Sequence, residues 1–141
     1  MEPVSNKPAV YLVSACLVGL ATRYDGGIFR NKGCLHDMGG RIWIPFCPEQ
    51  LGGLPTPRPA ADLVGGDGRD VLAGRARVVT REGQDITAAF LRGAGQVLEI
   101  ARSHPVDAVF LKSRSPSCGL SPVIGVTAAL LMEHGFRLRE Y

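Results

Sequence analysis

Val10-Tyr11-Leu12-Val13-Ser14-Ala15, followed at once by Cys16, is the stretch on which the fold turns. A short apolar run that closes on small residues reads as a strand buried on both faces. The pattern returns twice. Arg41 to Phe46 (RIWIPF) is rich in β formers and is followed directly by Cys47. Asp107 to Lys112 (DAVFLK) leads into a loop that carries Cys118. Strands buried on both faces belong to parallel sheets, which need crossover segments between them.

The intervening sequence supplies such segments. Cys34 to Met38 reads as a short helix stopped by Gly39-Gly40. Pro48 to Leu51 suits one helical turn, because proline fits the first helical position. Leu51 to Pro59 (LGGLPTPRP) cannot be a regular element, and its three prolines predict a stiff, shaped loop. Gly65 to Gly68 reads as a turn. Val71-Leu72 and Arg77 to Thr80 are expected to pair as a small hairpin around Ala73-Gly74. Asp85 or Thr87 can cap a helix running to about Ser103, with Ile86, Phe90, Ala94, Val97, Leu98 and Ala101 on one face. Ser113 to Pro122 is a second constrained loop, Val126 to His134 a last helix stopped by Gly135, and Phe136 to Arg139 a fourth strand or extended tail. The expected architecture is α/β: a single domain over 10–141 behind a tail of residues 1–9. Its sheet should be largely parallel and Rossmann-like, with helices on both faces and a small β-hairpin.

Composition sets bounds on function. The 141 residues are enough for one core, and 45% apolar with 21% charged residues is ordinary for a globular chain. No apolar run approaches the roughly 18 residues of a membrane span. The polar start, Met1 to Pro8, lacks the apolar stretch of a secretory signal, so a cytoplasmic location with reduced thiols is the expectation. A net charge of +3, evenly spread, argues against a nucleic-acid surface. It leaves room for a basic pocket that accepts one small anion. The glycines at 19, 26 and 27 form no phosphate-binding fingerprint.

The four cysteines, at 16, 34, 47 and 118, include no C-x-x-C pair. That argues against a zinc ribbon, a thioredoxin-type pair or a ferredoxin-type run. Three of them hold equivalent places: Cys16 after the first strand, Cys47 after the second, Cys118 six residues past the third. Ligands of open α/β sheets bind outside the carboxyl ends of the strands, so the three thiols can converge. Cys34 ends no strand and reads as a small buried hydrophobe. Thiolates favour zinc, copper(I) or an iron–sulfur cluster. Catalytic zinc usually adds histidine, and His36, His104 and His134 are poorly placed. Three cysteines on a cubane cluster leave one iron open as a Lewis acid.

Polar groups accompany these cysteines. Glu49, two residues past Cys47, is either a proton-transfer carboxylate or an acid stabilised at a helix start. Ser117 adjoins Cys118 and can orient water or substrate. Ser113 and Ser115 flank it and read first as turn formers, as Asp25 does before Gly26. Tyr24 shares that first loop. Lys112 ends the third strand and could hold an anion. Arg58, between Pro57 and Pro59, could project into the pocket.

The segments Ser14-Ala15-Cys16-Leu17-Val18-Gly19, Tyr24-Asp25-Gly26-Gly27, Cys47 to Arg58 (CPEQLGGLPTPR), Leu111-Lys112 and Ser115-Pro116-Ser117-Cys118-Gly119 resemble the thiouracil desulfidase family from about Val10 to Glu140. The resemblance implies a [4Fe–4S] cluster held by three cysteines, which map to Cys16, Cys47 and Cys118, with one open iron. It implies catalytic roles for Glu49 and Ser117, and a small-molecule thiolated pyrimidine, 2- or 4-thiouracil, as substrate. Ser14, Tyr24, Asp25, Arg58, Lys112, Ser113 and Ser115 are carried along as candidate substrate contacts. The expected reaction is non-redox hydrolysis, with sulfide leaving on the open iron. A non-catalytic cluster-binding sensor and a sulfur transferase are its rivals. Gly119 to Gly125 (GLSPVIG) is shorter than in typical members, which places substrate choice in question.

Overall fold

A computed structural model describes residues 10–141. The expected tail, 1–9, lies outside the described residues. Strands β1 (Val10–Ser14), β2 (Ile42–Phe46), β5 (Ala108–Leu111) and β6 (Leu138–Glu140) form one sheet in the order β2-β1-β5-β6. Every pairing in it is parallel; β1 matches β2 from Val10↔Ile42 to Ser14↔Phe46. The expected α/β class is the observed one.

Alternation along the strands sorts two cores. Leu12, Val109 and Leu111 face the helices α4 (Thr87–Ser103) and α5 (Val126–Glu133), against Val97, Leu98, Ala101, Ala128 and Leu131. Val13, Ala108 and Phe110 face the opposite side, with Cys34 and Met38 of helix α1 (Lys32–Met38). Asn31 caps α1, its side chain accepting from Cys34 N at 2.8 Å. Tyr11, Phe110 and Tyr141 pack beside α1, tilted and then edge to face, with centroid spacings of 4.8 and 5.7 Å.

Two expectations about these elements fail. Val71 and Leu72 belong to a helix, α3 (Gly68–Leu72), and not to a hairpin strand. Asp67 closes a capping box: its side chain accepts from the amides of Arg69 and Asp70, and the Asp70 carboxylate accepts from Asp67 N at 3.0 Å. That reciprocal cap fixes a helix start more firmly than two apolar residues favour a strand. The hairpin exists with a different first arm. Strand β3 (Ala61–Val64) pairs antiparallel with β4 (Arg77–Thr80), Ala61 opposite Thr80. It packs through Ala61, Leu63 and Val78 onto Val71, Phe90, Ala94 and Val126. Neither expected residue is the N-cap of α4, which is Ile86 and has no side-chain cap bond. Asp85 Oδ1 accepts from Thr87 N at 2.9 Å just ahead of it, while Thr87 Oγ1 accepts from Val78 N at 2.9 Å and ties the hairpin to the helix.

Candidate active site

The strand order places β2 on one side of β1 and β5 on the other, so a crevice opens beyond their carboxyl ends. A cavity of about 390 Å³ lies there, and Cys16, Cys47 and Cys118 all line it. Cys16 sits in a 3-10 turn, Ala15–Leu17, directly after β1. Cys47 has extended backbone and precedes α2 (Pro48–Leu51). Cys118 is 4% exposed, in the loop after β5. Cys34 is 0% exposed inside the α1 core, as a small hydrophobe would be.

The thiols act on one another. Burial raises the Cys16 pKa, with Cys47 pushing the same way and Lys112 and Arg23 opposing. Burial pushes Cys118 up to about 12, although hydrogen bonds with Ser14 and Ser117 hold it back while Glu49 and Cys16 add to the rise. Among the described residues, no three His, Cys, Asp or Glu side chains converge closely enough to hold a single metal ion. One zinc with thiolates at about 2.3 Å needs its sulfurs nearly in contact. Three thiols ringing a cavity fit instead a group that interposes several atoms between them, and the all-sulfur donor set fits an iron–sulfur cluster.

Glu49 reaches the same cavity from α2. Glycine holds that short helix in place. A Cβ on Gly52 would lie 2.0 Å from Ala89 O, and one on Gly93 would lie 1.9 Å from Pro48 O. Bare backbone on both sides therefore lets α2 lie directly on α4, and Arg92 Nη1 donates to Gly52 O at 2.8 Å across the contact. The carboxylate accepts at both oxygens: from Arg58 Nε at 3.0 Å on Oε1, and from Ser117 Oγ at 3.0 Å on Oε2.

Ser117 is 2% exposed. Ser115 shapes its loop, with Oγ accepting from the amides of Ser117 at 3.2 Å and Cys118 at 3.0 Å. The two serine oxygens are 3.0 Å apart. Either hydroxyl can be the donor between them. The short segment after Cys118 is tied down at its far end. The Glu140 carboxylate accepts from Leu120 N at 2.6 Å, Ser121 N at 2.9 Å and Ser121 Oγ at 2.7 Å. Partial burial pushes its pKa up, but those bonds outweigh it and hold the carboxyl below its ordinary range.

The other expected residues divide. Ser14, Tyr24, Arg58, Lys112, Ser113 and Ser115 line the cavity with the cysteines. Ser14 Oγ accepts from Lys112 N at 3.1 Å, and Tyr24, 40% exposed, stands at the rim. Lys112 Nζ donates to Ser113 O at 3.0 Å and lies 5.3 Å from the Phe29 ring centroid. Asp25 is not in the lining; its carboxylate accepts from Gly27 N at 2.8 Å, which is turn chemistry. Sequence reasoning missed Arg23, Arg81 and Arg114, which also line the cavity. Arg114 holds a φ of 58°, left-handed backbone that no local pattern announces.

A pocket lined by three thiols with a hydrogen-bonded carboxylate and hydroxyl, set at the crevice of a parallel sheet, defines an α/β protein with a sulfur-rich candidate site. Comparison with known proteins sharpens that class. The sequence profile of the 2-thiouracil desulfurase family matches residues 11–140, and the chain belongs to that family. It is 39% identical over 139 residues to the uncharacterized protein YbbK of Bacillus subtilis (strain 168), covering 90% of this chain and 92% of YbbK. It also resembles the solved structure of the [4Fe-4S]-dependent thiouracil desulfidase TudS: TM-score 0.73, 38% identity, covering 95% of this chain and 91% of that one. Among the described residues no helix is long and apolar enough to cross a membrane.

Proposed function

We propose that this chain is a [4Fe–4S]-dependent desulfidase that converts a thiolated pyrimidine, 2- or 4-thiouracil, to uracil by non-redox hydrolysis. The observation that carries the reading is the Glu49–Ser117 hydrogen bond at a cavity ringed by three thiols. Cys16, Cys47 and Cys118 would hold the cluster. When bound, it supplies an iron without a protein ligand, a Lewis acid toward the thiocarbonyl sulfur. Glu49 takes a proton from the water that attacks the C–S carbon, and Ser117 orients that water or the ring. Glu49 then gives its proton to the departing sulfur as the C–S bond breaks. Water enters, sulfide leaves and no electrons are exchanged, so no electron donor is required. Lys112 and the rim arginines favour the negative charge that grows during attack. A reducing cytoplasm would keep the three thiols available.

The test is anaerobic reconstitution, with iron and sulfide counted, followed by incubation with each thiouracil. Loss of the thiocarbonyl absorbance with release of uracil and sulfide is expected, and Glu49→Gln should abolish it. Loaded protein that leaves both substrates intact would fit a cluster sensor and defeat the proposal. An absolute requirement for an added thiol acceptor would replace hydrolysis by sulfur transfer.

A further inference from the structure

Arg58 is 8% exposed, yet it carries a full charge in the wall of the cavity. A buried cation needs its donors satisfied. Nε donates to Glu49 Oε1 at 3.0 Å. Nη1 donates to Thr56 Oγ1 at 2.8 Å and Pro55 O at 3.3 Å. Nη2 donates to Thr22 O at 2.8 Å and Cys47 Sγ at 3.8 Å. A guanidinium has five N–H groups, and these contacts use all of them. None is left to meet a substrate.

We propose that Arg58 is a positioning residue, one planar guanidinium that fixes the Glu49 carboxylate and the Cys47 sulfur in a single rigid unit. The inference rests on the reading of Glu49 as the proton-transfer group and Cys47 as a cluster ligand. The carboxylate of a free glutamate samples several rotamers; here Oε1 is fastened to Arg58 and Oε2 is thereby aimed at Ser117. The same fork presents a charged donor to a ligand sulfur, and hydrogen bonds to such sulfurs tune the potential of a cluster. It also fastens Thr22, in the loop after Cys16, to the proline loop through Thr56. Lysine keeps the charge but cannot reproduce the planar fork.

The test compares Arg58→Lys and Arg58→Gln with the unaltered holoenzyme. Arg58→Lys should lower kcat about tenfold or more, since a positioned acid–base group contributes at least that much. KM should move by less than about threefold, because no substrate contact is lost. Arg58→Gln should lower the midpoint potential of the bound cluster in an anaerobic redox titration, with iron and sulfide counts unchanged. Unchanged kcat in Arg58→Lys, or a rise in KM with kcat intact, overturns the positioning role, and an unmoved potential overturns the sulfur contact. If neither variant keeps its cluster, Thr56→Val removes one Nη1 acceptor and leaves the guanidinium; a smaller kcat loss at constant KM is expected, and none overturns the proposal. Should the unaltered protein turn over no thiopyrimidine, the proposed reaction fails by itself, while the redox titration still decides the Cys47 contact.

Discussion

A serine hydroxyl has one proton to donate, and at Ser117 it is directed at Glu49 Oε2, 3.0 Å away. Ser117→Ala removes that donor and strands a carboxylate oxygen, a change worth about 1–3 kcal/mol. That cost falls on stability; the loss of a group that orients Glu49 should separately lower kcat by roughly 10- to 100-fold. Folding should survive, because the backbone bonds of the loop, Ala128 N to Ser117 O at 3.0 Å among them, do not involve the hydroxyl. Steady-state kinetics on both thiouracils and a thermal melt check the two halves. A variant with normal kcat would remove Ser117 from the reacting centre. That Ser117 and Glu49 line the cavity was legible in the sequence, because the one adjoins Cys118 and the other follows Cys47. Arg58 could be placed near the pocket but its partners could not be named. They include Thr22, 36 positions away, and a loop whose course no local pattern fixes.

At the scale of elements, the contact of α2 with α4 decides where Glu49 stands. Gly93→Ala would force a Cβ to within 1.9 Å of Pro48 O, and backbone cannot yield as a side-chain tip can. Overpacking of this kind costs about 1–3 kcal/mol, against a gain of about 0.5–1 kcal/mol from replacing a helical glycine. The urea midpoint should fall and kcat with it, because α2 carries Glu49. Gly95, on the same helix with nothing within 4 Å of a built Cβ, is the control. Gly95→Ala should raise the midpoint, through a stability gain of about 0.5–1 kcal/mol. If both variants behave alike, close packing at Gly93 is not what holds α2. Period alone revealed α4 and five of its buried residues, from Phe90 to Ala101. It passed over Gly93, since an apolar count has no means of scoring a missing side chain. The hairpin was misread for a related reason. Val71-Leu72 has strand-like composition, but the Asp67 capping box acts one turn earlier and wins.

For the whole molecule, strand ends were the legible feature. Three runs that each stop near a cysteine imply one sheet edge, and the parallel order β2-β1-β5-β6 brings those loops together. What stayed hidden are closures between distant segments, such as Glu140 on the Ser121 loop. The fold also stores protons. Burial pushes the thiols of Cys34 up to about 11 and Cys118 up to about 12. Burial, then the bond to Asp37, does the same to Tyr141, also to about 12. An unfolded chain releases these protons from about pH 9 for thiols and about pH 10 for tyrosine. Between there and the folded values the native chain binds more protons, so its stability falls as pH rises. The slope is about 1.4 kcal/mol per pH unit for each such group. The contribution is complete below about pH 8 and fades toward pH 12. The urea midpoint of anaerobic cluster-free protein should therefore be level near pH 7–8 and clearly lower by about pH 10.5. Cys34→Val, which keeps the core apolar, should flatten part of that fall. Loading the cluster should flatten another part, because a ligating thiolate has already lost its proton in the native state. A cluster-free protein equally stable at both ends of this range would mean that water reaches these sulfurs, and the closed core around them would have to be abandoned.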